Sequence, residues 1–164
     1  MRFLVAICLI AALPLAAGAA DLQFRGADVQ YVTADPVAQV KASAGAPTKV
    51  MLNFHVLEGY HVNSNKPRSE FLIPTKLKLS PPLGIRVAQL TYPAGKDFSL
   101  SFSPAETLNV YTGDFSIQAT LEPAPAALAG AYHVSGELDY QACSDRACFP
   151  PKKLPVSFEV EVAK

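Results

Sequence analysis

The sequence predicts an all-β protein, an antiparallel β-sandwich of immunoglobulin-like layout. Three observations carry that expectation. After Asp21, apolar and polar residues alternate at period two through most of the chain, which is the pattern of half-buried strands. Proline and glycine recur about every ten to fifteen residues, too often for a helix of useful length. The seven to nine short strands that result have no helices to cross over between parallel neighbours, so they must pair mostly antiparallel, and two packed sheets are the economical solution. A closed barrel is the architectural alternative.

Each strand can be justified from its side chains. Val50, Leu52, Phe54 and Val56 share one face, with Met51, Asn53 and His55 on the other. Leu77 and Leu79, then Ile85 and Val87, form two short strands around Ser80-Pro81-Pro82-Leu83-Gly84, a turn by composition. Phe115, Ile117, Ala119 and Leu121 repeat the alternation, as do Tyr132, Val134, Leu138 and Tyr140. In the last strand Val156, Phe158, Val160 and Val162 point one way and Ser157, Glu159 and Glu161 the other. Glu122 to Gly130, rich in proline and alanine, reads as an inter-strand loop. Tyr92 to Asn109 breaks the pattern, with Pro, Gly and Ser scattered among Phe98, Leu100 and Phe102. A long loop in a compact domain is often functional, although an edge strand with an inward apolar side fits the composition as well.

The first twenty residues stand apart. Met1 to Ala20 holds one charge, Arg2, ahead of an apolar run from Phe3 to Leu13 and small residues at Ala17-Gly18-Ala19-Ala20. That is the grammar of a cleaved secretory signal, with residues 21–164 as one mature domain. Pro14 and Gly18 interrupt the run, which argues against a retained span. Ile7 occupies the place where a lipoprotein signal puts a small residue before the cysteine, so Cys8 is not expected to be lipidated.

The whole chain carries 14 basic and 14 acidic side chains, and losing Arg2 moves the balance to −1. Neither nucleic acid nor an anionic membrane surface finds an electrostatic footprint there. Cutting after Ala20 also removes Cys8 and leaves two thiols, Cys143 and Cys148. An even pair in an oxidising compartment invites a disulfide.

Those two thiols lie in YQACSDRACFPP between two predicted strands, and the four intervening residues let the loop fold back on itself. As a staple the bridge is weak, about 2 kcal/mol by loop entropy against about 4.7 kcal/mol for a hundred-residue loop. A short bridge at strand ends is also more readily exchanged. Spacing leaves the structural and the redox reading both open. Arg146 offers a positive charge that favours a thiolate, Asp145 opposes it, and Phe149-Pro150-Pro151 makes a rigid exit. Of the three histidines, His55 and His133 fall at polar positions of strands, whereas His61 lies in a turn-to-strand region able to approach the thiols. A Cys2His zinc site is not the expectation. No serine elbow, phosphate-cradling glycine loop or hydrolytic carboxylate cluster is present in the sequence.

GYHVNSNKP, FLIPTKLKL, VYTGDF and above all YQACSDRACFPPKKLPV resemble the periplasmic N-terminal domain of the DsbD family of thiol:disulfide interchange proteins, over roughly Val50 to Val162. The resemblance implies an immunoglobulin-like fold and a relay that needs no cofactor. It implies that Cys148 forms mixed disulfides with periplasmic thiol–disulfide partners and that Cys143 resolves them. The donor would be thioredoxin-like, the acceptors would carry disulfides, and a separate membrane electron carrier would feed a free-standing domain. In the family such relays also serve cytochrome c biogenesis. A mobile loop with an aromatic cap covers the family's cysteines. The matching stretch here is Lys96 to Asn109, with Phe98 or Phe102 as the shielding ring and Asp97 as the acidic residue beside it. Tyr60, His61 and Asn63, together with Phe149, would wall the site, His61 and Asn63 standing where some relatives have tyrosines. The thiol spacer is four residues here and five in some relatives.

Overall fold

The structure is a computed structural model that describes residues 29–100 and 103–164. The expected signal, Met1 to Ala20, with Cys8, and the alternative cap Phe102 lie outside the described residues.

The alternating segments become strands, and the described residues contain no helix. In chain order they are β1 (Val32–Ala34), β2 (Val40–Ser43), β3 (Thr48–Val56), β4 (His61–Asn63), β5 (Lys76–Ser80), β6 (Ile85–Thr91), β7 (Lys96–Leu100), β8 (Ser103–Tyr111), β9 (Asp114–Pro123), β10 (Gly130–Tyr140), β11 (Ala142–Cys143) and β12 (Lys152–Ala163). Two four-stranded sheets, ordered β1-β3-β9-β6 and β2-β12-β10-β5, form the immunoglobulin-like sandwich. Pairing is antiparallel except for β2 against β12, which run parallel. More segments form than the seven to nine expected, because β1, β2, β4 and β11 are too short to leave a periodic signature.

The core lies between the two sheets, filled by the residues that alternation selects. Phe54, Ile117, Leu121, Leu138 and Val160 are fully enclosed, while Met51, on the opposite face of β3, is half exposed. Burying an aliphatic or aromatic side chain of this size contributes about 1.5–3 kcal/mol, so the alternation is the main force that fixes strand register.

A third sheet, ordered β11-β4-β8-β7, builds the site. It grows from one end of the sandwich: β3 leads through a turn into β4, β8 continues into β9, and β10 continues into β11. Of the two readings of Tyr92 to Asn109, a functional loop and an edge strand, the strand is the one that forms: the segment is largely the β7–β8 pair, β7 at the sheet edge, with Phe98 opposite Leu108 and a register shift between Ser99 and Leu100. Its apolar residues alternate too loosely for the pattern to be read in advance, and pairing with β4 through β8 supplies the missing constraint.

Candidate functional site: a cysteine hairpin at the edge of the third sheet

Cys143 ends β11, and Cys148 faces it across an isolated antiparallel bridge. Ser144 to Ala147 make the intervening turn. The Ser144 amide donates to the Ala147 carbonyl at 2.8 Å, and the Ser144 hydroxyl accepts from the Arg146 and Ala147 amides, both at 3.2 Å. The Phe149 amide donates to the Ala142 carbonyl at 2.9 Å, and the Gln141 side chain donates to the Phe149 carbonyl at 3.1 Å. This small hairpin holds the two Cα atoms 3.9 Å apart, and the sulfurs are joined as a disulfide. The separation is shorter than the common 4.4–6.8 Å span of bridged pairs.

The two cysteines do not share one environment. Cys143 is buried, 2% exposed, whereas Cys148 lies on the exposed arm of the hairpin. Cys148 is therefore the cysteine open to an incoming group, and Cys143 is enclosed. Arg146 is 90% exposed and pairs with neighbouring Asp145 at 3.9 Å, so its positive charge is offset by that carboxylate.

An aromatic cluster flanks the hairpin. Tyr31 stacks on Phe149 with ring centroids 4.8 Å apart and meets Tyr60 at the same distance, while Tyr60 and Phe149 are 5.8 Å apart. Lys152 lies over the Tyr31 ring and its ammonium donates to the Val29 carbonyl at 2.6 Å. Tyr60 is delivered by a tight turn: its amide donates to the Leu57 carbonyl at 3.0 Å, and Gly59 sits at φ +82°, a conformation that L side chains rarely adopt. Tyr31 carries no advance signal, since it precedes a three-residue strand, and only its stacking reveals it.

Across the β4–β11 pair, His61 stands opposite Cys143. It is buried, the Phe98 ring lies 4.6 Å from it, and burial pushes the imidazole below its ordinary pKa of 6.5. Asn63 is also fully buried and donates to the Ile73 carbonyl at 3.0 Å. Thr75 donates to the Asn63 carbonyl at 2.5 Å, tying the start of β5 to β4. Asp97, beside Phe98, turns the other way: Arg68 grips both of its oxygens at 2.7 Å, Asn109 donates at 3.4 Å, and these contacts hold its carboxyl below the ordinary range. Phe98, Asp97, Tyr60, His61, Asn63 and Phe149 are thus all placed on or beside the third sheet, with Phe98 against His61. Arg68 was not legible as a partner of Asp97, being 29 residues distant in the chain.

His55 and His133 are outside this site. His55 sits between Asp35 and Asp114, 2.7 Å from each, and His133 pairs with Glu159 at 2.7 Å. No group of three or more His, Cys, Asp or Glu able to hold a metal ion occurs among the described residues.

Fold and site together define an immunoglobulin-like domain that presents a short-loop cysteine pair, one residue exposed and one buried, at one end of its sandwich. Residues 28–159 match the family described as the N-terminal domain of the thiol:disulfide interchange protein DsbD, and the chain belongs to that family. Among solved structures it is similar to the reduced DsbD N-terminal domain of Neisseria meningitidis, at 19% identity and TM-score 0.45, covering 72% of this chain and 82% of that one. It is also similar to the N-terminal periplasmic domain of ScsB from Proteus mirabilis, at 16% identity and TM-score 0.46, covering 79% of this chain and 44% of that one. A third is the complex between the DsbD and PilB N-terminal domains of Neisseria meningitidis, at 19% identity and TM-score 0.43, covering 78% of this chain and 80% of that one. A search of curated protein sequences found no match. No helix among the described residues is long and apolar enough to cross a membrane.

Proposed function

We infer that this domain exchanges thiols and disulfides with partner proteins through Cys143 and Cys148, in the periplasm after loss of Met1 to Ala20. The observation that carries the reading is the asymmetry of the pair, with Cys148 exposed and Cys143 buried. A thiolate of a thioredoxin-like donor attacks the Cys148 sulfur, the S–S bond to Cys143 breaks, and Cys143 leaves with the electron pair. The donor's second thiolate then attacks the mixed disulfide and departs oxidised, leaving both cysteines of the domain reduced. The reverse sequence passes the two electrons to a disulfide-bearing acceptor, with Cys143 attacking to release it. Sulfur exchange of this kind requires no cofactor. A membrane electron carrier would recharge the donor.

Phe98 acts in this reading as the lid and Asp97, locked to Arg68, as a hinge contact that holds the lid strand. Tyr60, Phe149, His61 and Asn63 form the walls against which a partner docks.

Cys143→Ser protein should trap partners as mixed disulfides on Cys148 in a periplasmic extract, and Cys143→Ser/Cys148→Ser should trap none. Equilibration in glutathione buffers should give a reduction potential above about −300 mV, since structural bridges lie below that value. A bridge more reducing than that, with no trapped adduct, would mark the pair as a staple in an interaction module.

A further inference from the structure

This inference rests on the exchange reading and concerns how the buried sulfur handles its proton. His61 and Cys143 are directly opposed across β4 and β11. Opposed residues of an antiparallel pair project from the same face, with Cβ atoms about 4.5–5.5 Å apart. Both residues are 2% exposed, and Phe98 closes over the imidazole.

Within that enclosure His61 Nε2 is buried and has no hydrogen-bond partner. Interiors rarely leave a polar atom in that condition without a reason. The disulfide supplies one. A sulfur bonded to sulfur has no proton to give, whereas a cysteine thiol donates one and a thiolate accepts one. An atom orphaned in the oxidised state gains its partner when Cys143 is reduced.

Among the residues whose side chains are described, the other ionisable groups on β7 and β8 are engaged or turned away. Asp97 of β7 is held by Arg68 and Asn109, Tyr111 of β8 bonds Asn65 and the Pro93 carbonyl, and Lys96 of β7 is exposed. On β11, Cys143 is the ionisable group that faces His61. Burial keeps the imidazole neutral near pH 7, with one ring nitrogen unprotonated.

We propose that His61 is the acid–base partner of Cys143 in both directions of exchange. When Cys143 resolves a mixed disulfide, its S–H bond breaks and the proton passes to His61, which releases it to water. The Cys143–Cys148 bond forms, and the Cys148–partner bond breaks with its electron pair on the partner sulfur, which is protonated from water. In the opposite direction Cys143 leaves with the electron pair and takes up a proton that the neutral imidazole relays from water.

Stopped-flow reaction of the reduced protein with dithiobis(nitrobenzoate) separates the steps. One thionitrobenzoate is released as Cys148 forms the mixed disulfide, and a second as Cys143 resolves it. His61→Phe should slow the second phase relative to the first about 100-fold near pH 7, the usual order for loss of a general base. The gap should close at high pH, where hydroxide generates the Cys143 thiolate. His61→Gln, which keeps a polar group but takes no proton, should behave in the same way and serves if the Phe variant does not fold. A parental ratio of second phase to first in either variant, or a slowing that is constant across pH, overturns the proposal. If the parent protein shows no first phase, the exchange reading itself falls, and this inference with it.

Discussion

Along the sandwich, from Val50 and Leu121 to Leu138 and Val160, the buried side chains are apolar. The buried polar residues described, His61, Asn63, Ser64 and Thr75, all belong to β4 or to the segment joining it to β5. Asn63 Oδ1, like His61 Nε2, has no hydrogen-bond partner. The contrast teaches a division of labour. Apolar burial in two facing sheets supplies the free energy that offsets chain entropy. The third sheet spends part of it on polar groups that packing alone would exclude.

The contrast predicts that changes in the sandwich alter stability and spare the chemistry. The largest effect belongs to Phe54, fully buried and stacked on Phe115 with centroids 5.2 Å apart. Phe54→Ala should lose about 3–5 kcal/mol in urea unfolding, while its folded fraction keeps the parental rate with dithiobis(nitrobenzoate). Gly136, in the centre of β10, is next. A Cβ there would run into the Lys78 carbonyl of β5, and Leu79 would have to shift as well. Gly136→Ala should cost about 1–3 kcal/mol, the range for overpacking, again without changing the exchange rate.

Changes in the third sheet should do the opposite. The Phe98 ring contributes an aromatic contact of about 0.5–1.5 kcal/mol to closure over His61. Phe98→Ala should therefore raise the open population about two- to twelvefold and, in reduced Cys148→Ser protein, speed alkylation of the enclosed Cys143 by iodoacetamide in proportion. The urea midpoint should move little. An unchanged alkylation rate would remove Phe98 as the lid.

The smallest effect tests the border between the regions. His55, at the end of β3, donates from both ring nitrogens to Asp35 and Asp114 only when protonated, and those hydrogen bonds raise its pKa above 6.5. A raised folded-state pKa gives stability that is fully present below 6.5 and is lost as pH rises through the folded value. The melting temperature of His55→Gln should fall furthest below the parent at about pH 5 and converge with it under alkaline conditions. A gap that grows with pH would reverse the assignment.

The legibility of the chain follows the same border. Strands β3, β9, β10 and β12 were readable because each is long and has one face in the core, so period two is imposed on many consecutive residues. The β7–β8 pair was not, since its alternation is loose and its partner strand β4 has three residues. For the site, YQACSDRACFPP marked both thiols and the family resemblance marked Phe98, Tyr60 and His61. Tyr31 and Arg68 were invisible, because stacking and a long-range ion pair leave no trace in local spacing.

The sequence by itself determined the all-β class, the core faces and a pair of cysteines close enough along the chain to join. Burial pattern and loop length are local properties, and local order is what a string of residues encodes. Tertiary structure alone decided that Cys148 is exposed while Cys143 is enclosed, and that His61 stands across from the sheltered sulfur. Both depend on where a third sheet, assembled from segments scattered between residues 61 and 143, meets the end of the sandwich.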